Sequence, residues 1–346
     1  MAGGTGGHIY PALAVADELK SRGWRVVWLG SRAGMEARIV PDHGYEMQWL
    51  RFSGLRGKGP VRMALLPLNL LIAFWQSAAV MFRMRPDVVL GMGGYVSFPG
   101  GMMAALFLRP LVVHEQNAVA GLANKVLAMV ADRVLTGFPD VLTRARCTGN
   151  PVRREICAVE APDIRFAGRA GALRLLVVGG SLGARPLNET VPAALAIVPE
   201  GLRPQVTHQS GRQHFETLRS LYREKDVEAD VVAFIYDMAE AYRQADLVVC
   251  RAGAITVSEL AAAGVASILV PLPHAVDDHQ TANARFLADG EAAVLIPQRD
   301  LTPRCLADMI AGFTRERLSR MASRARALGR ARATEEVADH CAAMAG

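Results

Sequence analysis

The sequence predicts an α/β protein built from two doubly wound domains with parallel sheets. Three short glycine-rich turns support this prediction, because the second and third each follow an apolar run typical of a buried strand. The first and third turns lead into helical patterns. The chain has 346 residues and is 51% apolar, which is ample for two packed cores. The three turns lie at residues 3–8, 91–95 and 179–184.

Strand and helix patterns alternate along both halves of the chain, as a parallel doubly wound sheet requires. A helix is predicted from Pro11 to the stop signal at Gly23. The polar residues 161–171 are typical of a linker, and a charged helical pattern begins at Leu318. Predicted strands cover residues 25–30, 88–91, 111–114 and 133–136 in the first half, and 173–178, 205–208, 231–234, 247–250 and 267–270 in the second.

The first glycine turn has no strand in front of it. In a doubly wound domain such a turn follows a central strand, yet only Met1 and Ala2 precede Gly3. An empty central position would leave backbone groups of the neighbouring strands unpaired. We therefore expect the native start to lie about ten residues upstream, the length of a strand and its approach.

Composition excludes several classes of protein. The formal net charge is +6, but the basic residues are not interleaved with aromatic residues, which make up only 6%. This pattern predicts no nucleic-acid partner. The five cysteines are scattered and form no CxxC pair, which is typical of reduced thiols in a cytoplasmic protein. The N-terminus opens on a glycine turn, so no signal peptide is expected.

Residues 63–82 are uncharged over about the length of a membrane span. Polar side chains recur there every seven residues, which favours an amphipathic helix over a spanning one. Between Glu46 and Glu115 the only acidic residue is Asp87, whereas basic residues are frequent. Such a segment can rest on an anionic membrane or form a core helix with solvated ends. The polar stripe is Arg62, Asn69, Gln76 and Arg83, and the other basic residues are Arg51, Arg56, Lys58, Arg85 and Arg109.

A strand, a glycine turn and a helix N-terminus together present backbone N–H groups and a positive dipole end, which suits a phosphate. The turn at residues 3–8 matches neither the dinucleotide fingerprint nor the phosphate loop, so a dinucleotide oxidoreductase is disfavoured. His8 lies at the mouth of this turn and could take a proton from a hydroxyl. It could equally be a structural or N-capping histidine.

Residues 114–117, His-Glu-Gln-Asn, begin like a zinc protease motif, but Ala118 removes the second metal ligand. They follow a predicted strand, where the ligand-facing residues of parallel sheets cluster, so we expect a polar cluster there. The chain has no Asp-x-Asp pair for a metal-bound diphosphate. We therefore expect neither a metal nor another cofactor.

Residues 250–259 run from a strand through a turn into a helix in the second half of the chain. Glu259 could accept two hydrogen bonds from a ribose diol, although residues 256–259 are also ordinary helix-start chemistry. The polar residues 271–283 follow a buried strand and suit sugar hydroxyls. Loops are polar in any case, so this signal is weak in isolation.

Taken together, eight ordered motifs resemble the MurG family of peptidoglycan N-acetylglucosaminyltransferases. The resemblance implies the GT-B fold, with two Rossmann-like domains facing a cleft. It implies inverting transfer of GlcNAc from UDP-GlcNAc to the C4 hydroxyl of MurNAc in undecaprenyl-linked lipid I, forming lipid II for peptidoglycan. The motifs lie at residues 3–8, 91–97, 114–117, 149–153, 179–184, 208–211, 251–259 and 278–280.

The same resemblance implies site residues and partners. Residues 1–152 plus 328–346 would form an acceptor and membrane-facing domain, and residues 153–327 a UDP-sugar domain. His8 is the first candidate for the base and Glu115 the second. The enzyme would sit peripherally on the cytoplasmic face of the inner membrane through residues 63–85, with cell-wall and division proteins as further partners. The implied contacts are Ile235 to uracil, Glu259 to ribose, Arg153 to the nucleotide, Ser181 with Ala254, Ile255, Thr256, Val257 and Ser258 to the diphosphate, Asn117 and Gln280 to sugar hydroxyls, and Thr5, Gly6 and Gly7 to the donor or the acceptor diphosphate.

Two other functions stay open on the sequence. A UDP-GlcNAc 2-epimerase could share the fold and the donor, but it would need no lipid acceptor. A non-catalytic UDP-sugar-binding scaffold would bind the nucleotide sugar without releasing UDP to an acceptor.

Overall fold

The computed structural model describes residues 1–52, 65–180, 183–273 and 278–345. The chain forms two compact units. The N-terminal unit comprises Met1–Arg153 together with Ala331–Gly346, and the C-terminal unit comprises Arg154–Arg330.

In the N-terminal unit, parallel strands alternate with helices. β1 pairs with β2 in one small sheet, and β3, β4, β5 and β6 form a second sheet in that order. The elements are α1 (Gly6–Ser21), β1 (Val27–Ser31), α2 (Glu36–Asp42), β2 (Glu46–Leu50), α3 (Leu66–Met84), β3 (Val89–Gly91), α4 (Ser97–Leu106), β4 (Leu111–Glu115), α5 (Leu122–Leu127), β5 (Arg133–Thr136) and β6 (Arg146–Cys147).

Met1 and Ala2 lie between the two sheets of the N-terminal unit. The Met1 amine donates to the Leu90 carbonyl at 2.8 Å, and the Met92 N–H donates to the Met1 carbonyl at 2.8 Å. On the other side, the Trp28 indole donates to the Ala2 carbonyl at 2.9 Å. Burial lowers the pKa of the Met1 amine to about 5. A cavity of about 350 Å³ lies beside these residues, lined by α1 and by the segments that lead into β1 and β3.

The C-terminal unit contains one six-stranded parallel sheet. Its order is β12-β11-β10-β7-β8-β9, so β7 and β10 are central and fully flanked. The elements are α6 (Arg154–Cys157), α7 (Pro162–Phe166), β7 (Arg174–Val178), α8 (Arg185–Ile197), β8 (Gln205–Gln209), α9 (Phe215–Glu224), β9 (Asp230–Val232), α10 (Met238–Gln244), β10 (Leu247–Cys250), α11 (Ala254–Ala263), β11 (Ser267–Leu269), α12 (His279–Ala288), β12 (Ala293–Leu295), α13 (Pro303–Ala311) and α14 (Arg315–Leu328).

The last helix, α15 (Ala333–Met344), belongs to the N-terminal unit. Its buried face packs Val337 and Cys341 against Val15 and Leu19 of α1 and against Leu135 of β5. Apolar burial of this kind is the main favourable term in folding, so the end of the chain completes the core of its first half.

Two predictions about individual segments were wrong. Helix α1 begins at Gly6, five residues before Pro11, which lies inside the helix. Pro11 lacks an N–H, so the bond to the Gly7 carbonyl is missing there, and the helix nevertheless continues to Ser21. The predicted linker at residues 161–171 contains α7. Arg165 is buried there and donates to the carbonyls of Tyr242 and Ala263, so the segment is an integral part of the C-terminal unit.

Buried His208 makes the stability of the protein depend on pH. Its ring bonds the Tyr222 hydroxyl at 2.9 Å and the Asn188 carboxamide oxygen at 3.2 Å. Burial lowers the pKa of His208 to about 3, whereas an unfolded histidine has a pKa of about 6.5. The unfolded chain therefore takes up this proton first, and stability is lost as the pH falls below about 6.5.

We expect His208 to account for roughly 2 kcal/mol of the stability lost between pH 7 and pH 5. Urea unfolding of the whole chain at both pH values measures this loss. His208→Gln should lose less stability over that interval than the native protein, and the exposed His43→Gln control should match the native slope. Equal slopes in all three proteins would contradict the assignment.

Candidate active site

Two glycine turns pack against each other in the N-terminal unit. Gly94 has a φ of +83°, and a Cβ added there would lie 2.2 Å from the Gly3 carbonyl oxygen. α1 begins at Gly6 with Thr5 as its N-cap, so the first N–H groups of the helix have no partner within it. The turn at residues 3–8 therefore presents backbone donors and a positive dipole end, as the sequence predicts for a phosphate site.

His8 lies within the first turn of α1. The sequence had placed it in front of the helix. Its side chain is partly exposed, and its Nδ1 lies 2.8 Å from Oε1 of Gln116. Gly93 makes room for this pair: its φ is +87°, and an added Cβ would lie 2.7 Å from His8 Nδ1. The structure thus joins three motifs that are far apart in the sequence.

The Glu115 carboxylate is fully engaged. The side chain is 2% exposed, and one oxygen accepts from the backbone N–H and the carboxamide of Asn117 at 2.9 and 3.2 Å. The other oxygen accepts from the Gly121 N–H at 3.1 Å and the Asn124 carboxamide at 2.9 Å. Four donors match the acceptor sites of a carboxylate. This geometry favours a role in holding Asn117 over a role in proton transfer.

Residues 114–117 are tied to residues 149 and 150. His114 is completely buried, and its Nε2 lies 2.9 Å from the Gly149 carbonyl oxygen. The Asn150 carboxamide donates to the Gln116 carbonyl at 2.9 Å. Sequence analysis grouped both motifs with the site but gave neither His114 nor Gln116 a role. The missing information was the tertiary contact between Gln116 and His8.

Glu36 is a further residue that the sequence did not single out. Its fully buried carboxylate accepts from the Gly4 N–H and from the Ser31 N–H, both at 3.0 Å. Glu36 therefore fixes the start of the first glycine turn against the end of β1. A single glutamate in the first turn of a helix gives no sequence signal for such a role.

In the C-terminal unit, the start of helix α11 is the counterpart of the start of α1. Gly253 caps it, and the side chains of Ala254 and Val257 are buried, so a ligand at this helix end would meet backbone N–H groups. Ile255, Thr256 and Ser258 are partly exposed on the same turns. Glu259 is 8% exposed and accepts a hydrogen bond from the Tyr242 hydroxyl at 3.1 Å.

Arg251 and Asn283 brace this helix start. The Arg251 guanidinium donates to the carbonyls of Val270 and Pro271, each at 3.1 Å, and to the Gln298 side chain at 2.6 Å. Burial lowers the pKa of Arg251 from its usual value. The Asn283 carboxamide donates to the Ala252 carbonyl at 3.2 Å.

Gln209 joins two other predicted contact segments. Its carboxamide donates to the Gly180 carbonyl at 2.9 Å and accepts from the Ile235 N–H at 3.0 Å. Gln280 accepts from the Leu272 N–H at 2.9 Å.

The remaining predicted site residues are less informative. Arg153 is exposed and is the last residue of the first segment of the N-terminal unit. Ser181 lies outside the described residues. Among the residues that are described, no three His, Cys, Asp or Glu side chains are grouped to hold a metal ion.

Each unit combines parallel β-sheet with a glycine-containing turn that leads into a helix, and two such Rossmann-like units in one chain are typical of the GT-B fold class. Sequence models of the N-terminal and C-terminal domains of glycosyltransferase family 28 match residues 1–136 and 174–341. The chain belongs to glycosyltransferase family 28, which confirms the predicted fold class.

Similar proteins agree with this assignment. The chain is 61% identical over 345 residues to a Dechloromonas aromatica protein and 63% identical over 345 residues to one from Aromatoleum aromaticum. All of this chain and 98% and 97% of those proteins are covered. Both are named UDP-N-acetylglucosamine–N-acetylmuramyl-(pentapeptide) pyrophosphoryl-undecaprenol N-acetylglucosamine transferase.

Solved structures show which likenesses extend to sequence and which are of fold alone. The crystal structure of Acinetobacter baumannii MurG has a TM-score of 0.88 at 40% identity, covering 99% of this chain and 98% of that one. A UDP-GlcNAc 2-epimerase from Neisseria meningitidis has a TM-score of 0.64 at 11% identity, covering 96% and 95%. The second likeness is one of fold alone, so the epimerase alternative is not favoured.

We expect Glu36→Gln to destabilise the N-terminal unit by about 1–3 kcal/mol, because one of two buried N–H groups would then face an amide donor. Urea unfolding measures the change. Glu46→Gln, which removes an exposed carboxylate paired with Arg25, is the matched control and should change stability far less, because exposed ion pairs contribute little. A Glu36→Gln protein as stable as this control would contradict the bracing role of Glu36.

Proposed function

We propose that this chain transfers GlcNAc from UDP-GlcNAc to the C4 hydroxyl of MurNAc in undecaprenyl-linked lipid I, forming lipid II for peptidoglycan. The observation that carries the proposal is identity of about 60% over the whole chain to enzymes named for this reaction. The contact between His8 and Gln116 of the motif at residues 114–117 supplies a chemical centre for it.

The C-terminal unit holds the donor. The UDP diphosphate lies at the start of α11, where backbone N–H groups and the helix dipole stabilise its charge, and Ser181, outside the described residues, is a predicted further contact. Glu259 accepts from the ribose diol, and Ile235 contacts the uracil. Gln280 binds a sugar hydroxyl, and Arg153 reaches the nucleotide.

The N-terminal unit holds the acceptor and the base. Thr5, Gly6 and Gly7 bind a diphosphate at the start of α1, and Asn117 binds a sugar hydroxyl. The acceptor oxygen attacks the anomeric carbon while the bond from that carbon to UDP breaks. The hydroxyl proton passes to His8, and UDP leaves with the electron pair. One such displacement inverts the anomeric configuration.

His8→Ala should lower kcat by about 10²-fold or more, because general base catalysis contributes on that scale. Transfer of labelled GlcNAc to a short-chain lipid I analogue measures the rate, and UDP-GlcNAc titration measures donor affinity. The exposed His43→Ala variant is the control. An unchanged kcat with weakened UDP-GlcNAc binding would mean that His8 only binds substrate.

A membrane surface accounts for the unusual polarity of α3. Leu71, Trp75 and Phe82 are 65%, 73% and 69% exposed. The polar Gln76 instead faces the protein and accepts from the Arg51 N–H at 2.8 Å, and Arg83 bonds Gln48. A water-facing helix normally shows the opposite arrangement.

The helix is also apolar and long enough to cross a membrane by length and composition, and 22% of its apolar window is buried. Exposed apolar surface beside basic residues suits an anionic leaflet. The chain therefore works as a peripheral membrane protein through residues 63–85. The family resemblance is what places it on the cytoplasmic face of the inner membrane and predicts cell-wall and division proteins as partners. Arg62 of the predicted polar stripe lies outside the described residues.

Trp75→Glu should reduce cosedimentation with vesicles that contain an anionic phospholipid by about 10-fold, because it replaces a large apolar contact with a charge of the same sign as the lipid. Arg83→Glu should act in the same direction. Leu202→Glu, at an exposed leucine of the C-terminal unit, should leave cosedimentation unchanged. Retention of full binding by both α3 variants would exclude this helix as the membrane contact.

A further inference from the structure

A chain of hydrogen bonds runs from a backbone carbonyl to His8. The Gly149 carbonyl oxygen lies 2.9 Å from Nε2 of His114. Nδ1 of His114 lies 3.0 Å from the carboxamide nitrogen of Gln116. The carboxamide oxygen of Gln116 then lies 2.8 Å from Nδ1 of His8. The direction of each bond can be deduced from the one before it.

The first bond fixes the tautomer of His114. A carbonyl oxygen can only accept a hydrogen bond, so Nε2 of His114 carries the proton. Burial lowers the pKa of His114 to about 4, and its ring is therefore neutral at physiological pH. A neutral imidazole has one N–H, which leaves Nδ1 of His114 as an acceptor.

The second bond fixes the orientation of the Gln116 carboxamide. Its nitrogen lies 3.0 Å from Nδ1 of His114 and also 3.0 Å from the His114 carbonyl oxygen, and both of these atoms accept. The flipped carboxamide would place its oxygen against two lone pairs. Two independent contacts thus assign the nitrogen to this side and turn the oxygen toward His8.

The third bond fixes the tautomer of His8. The Gln116 oxygen can only accept, so Nδ1 of His8 must donate. Nε2 of a neutral His8 then keeps its lone pair. The close approach requires Gly93, since a side chain at that position would meet both His8 and Gln116, at 2.7 and 3.3 Å.

We infer that His114 and Gln116 are positioning residues that hold the proton of His8 on Nδ1 and thereby reserve Nε2 as the base. The inference rests on the proposed role of His8. When the acceptor O–H bond breaks, the proton forms a bond to Nε2, and the electron pair of the O–H bond forms the new bond to the anomeric carbon. The resulting imidazolium donates a stronger, charge-assisted bond to Gln116. The carboxamide does not accept the proton, so the charge stays on His8.

The experiment is nitrogen NMR of the histidine rings in the unsubstituted chain labelled with ¹⁵N-histidine, at neutral pH. His8→Ala identifies the His8 signals by their loss. We expect His8 to carry its proton on Nδ1 and to have an unprotonated Nε2. A native His8 with its proton on Nε2 would overturn the inference, and the tautomer itself is read from the native protein, with His8→Ala serving only to assign the signals.

Gln116→Leu tests the consequence for the reaction. It should lower kcat by about 10-fold or more, change the KM values for donor and acceptor by less than about 2-fold, and release the His8 proton from Nδ1 in the NMR spectrum. Gln116→Glu keeps an accepting oxygen toward His8 but loses the two bonds that the amide nitrogen donates to His114, so it should keep the proton on Nδ1 and have a kcat between those of Gln116→Leu and the native enzyme. Gln244→Leu, the same substitution at an exposed position of the C-terminal unit, should behave as the native enzyme.

The two proposals can fail separately. If His8→Ala abolishes turnover while folded Gln116→Leu keeps the native kcat, the positioning role is wrong and the base assignment stands. If His8→Ala itself keeps the native kcat, the base assignment is wrong, and the positioning role has no reaction to serve.

Discussion

The N-terminal unit depends on the close approach of two glycine turns. The Gly94 backbone lies so close to the Gly3 carbonyl that a side chain at position 94 would collide with it. A side chain at position 93 would likewise collide with His8. These contacts bring the start of α1 next to the ends of β3 and β4. The glycines of the second turn therefore act first as spacers that let a histidine reach a buried amide, which is a more specific role than presenting N–H groups to a phosphate.

A buried glutamine near the end of a strand organises each unit. Gln116 follows β4 and connects to His8, whereas Gln209 ends β8 and connects Gly180 to the Ile235 N–H. A carboxamide donates and accepts at once, so it can join two loops of opposite polarity without burying a charge. Both units thus use a buried glutamine to join two loops. In the N-terminal unit the glutamine bonds the ring of His8, and in the C-terminal unit it bonds only backbone groups.

The sequence predicted the fold class and the family resemblance, which are both confirmed, because these depend on strong local patterns. β5 and β10 begin and end at the residues predicted for them. β2 was missed because only its last residue, Leu50, is fully buried, so it lacks a continuous apolar run. β6 and β12 have only two and three residues, which is too short for any periodic signal. Pro11 was interpreted as a helix start because proline is common at the first position of a helix. In the structure it lies in the second turn of α1.

For the site, sequence analysis found His8 and the motif at residues 114–117 separately and could not join them. Their contact spans 108 positions along the chain and depends on the φ of Gly93, which no local pattern reveals. Glu36 carried no signal at all. Glu115 was a reasonable candidate base by residue type, and only the four donors around its carboxylate make that role unattractive.

The inverted polarity of α3 affects how the protein behaves without lipid. Gln76 and Arg83 bond residues in or directly after β2, whereas the outward face carries the large apolar side chains Leu71, Trp75 and Phe82, which water solvates poorly. In lipid-free solution the simplest way to cover that face is another copy of itself or a detergent molecule. The apparent size of the purified protein should therefore vary with the amphiphile present, and should not by itself be read as a physiological oligomer.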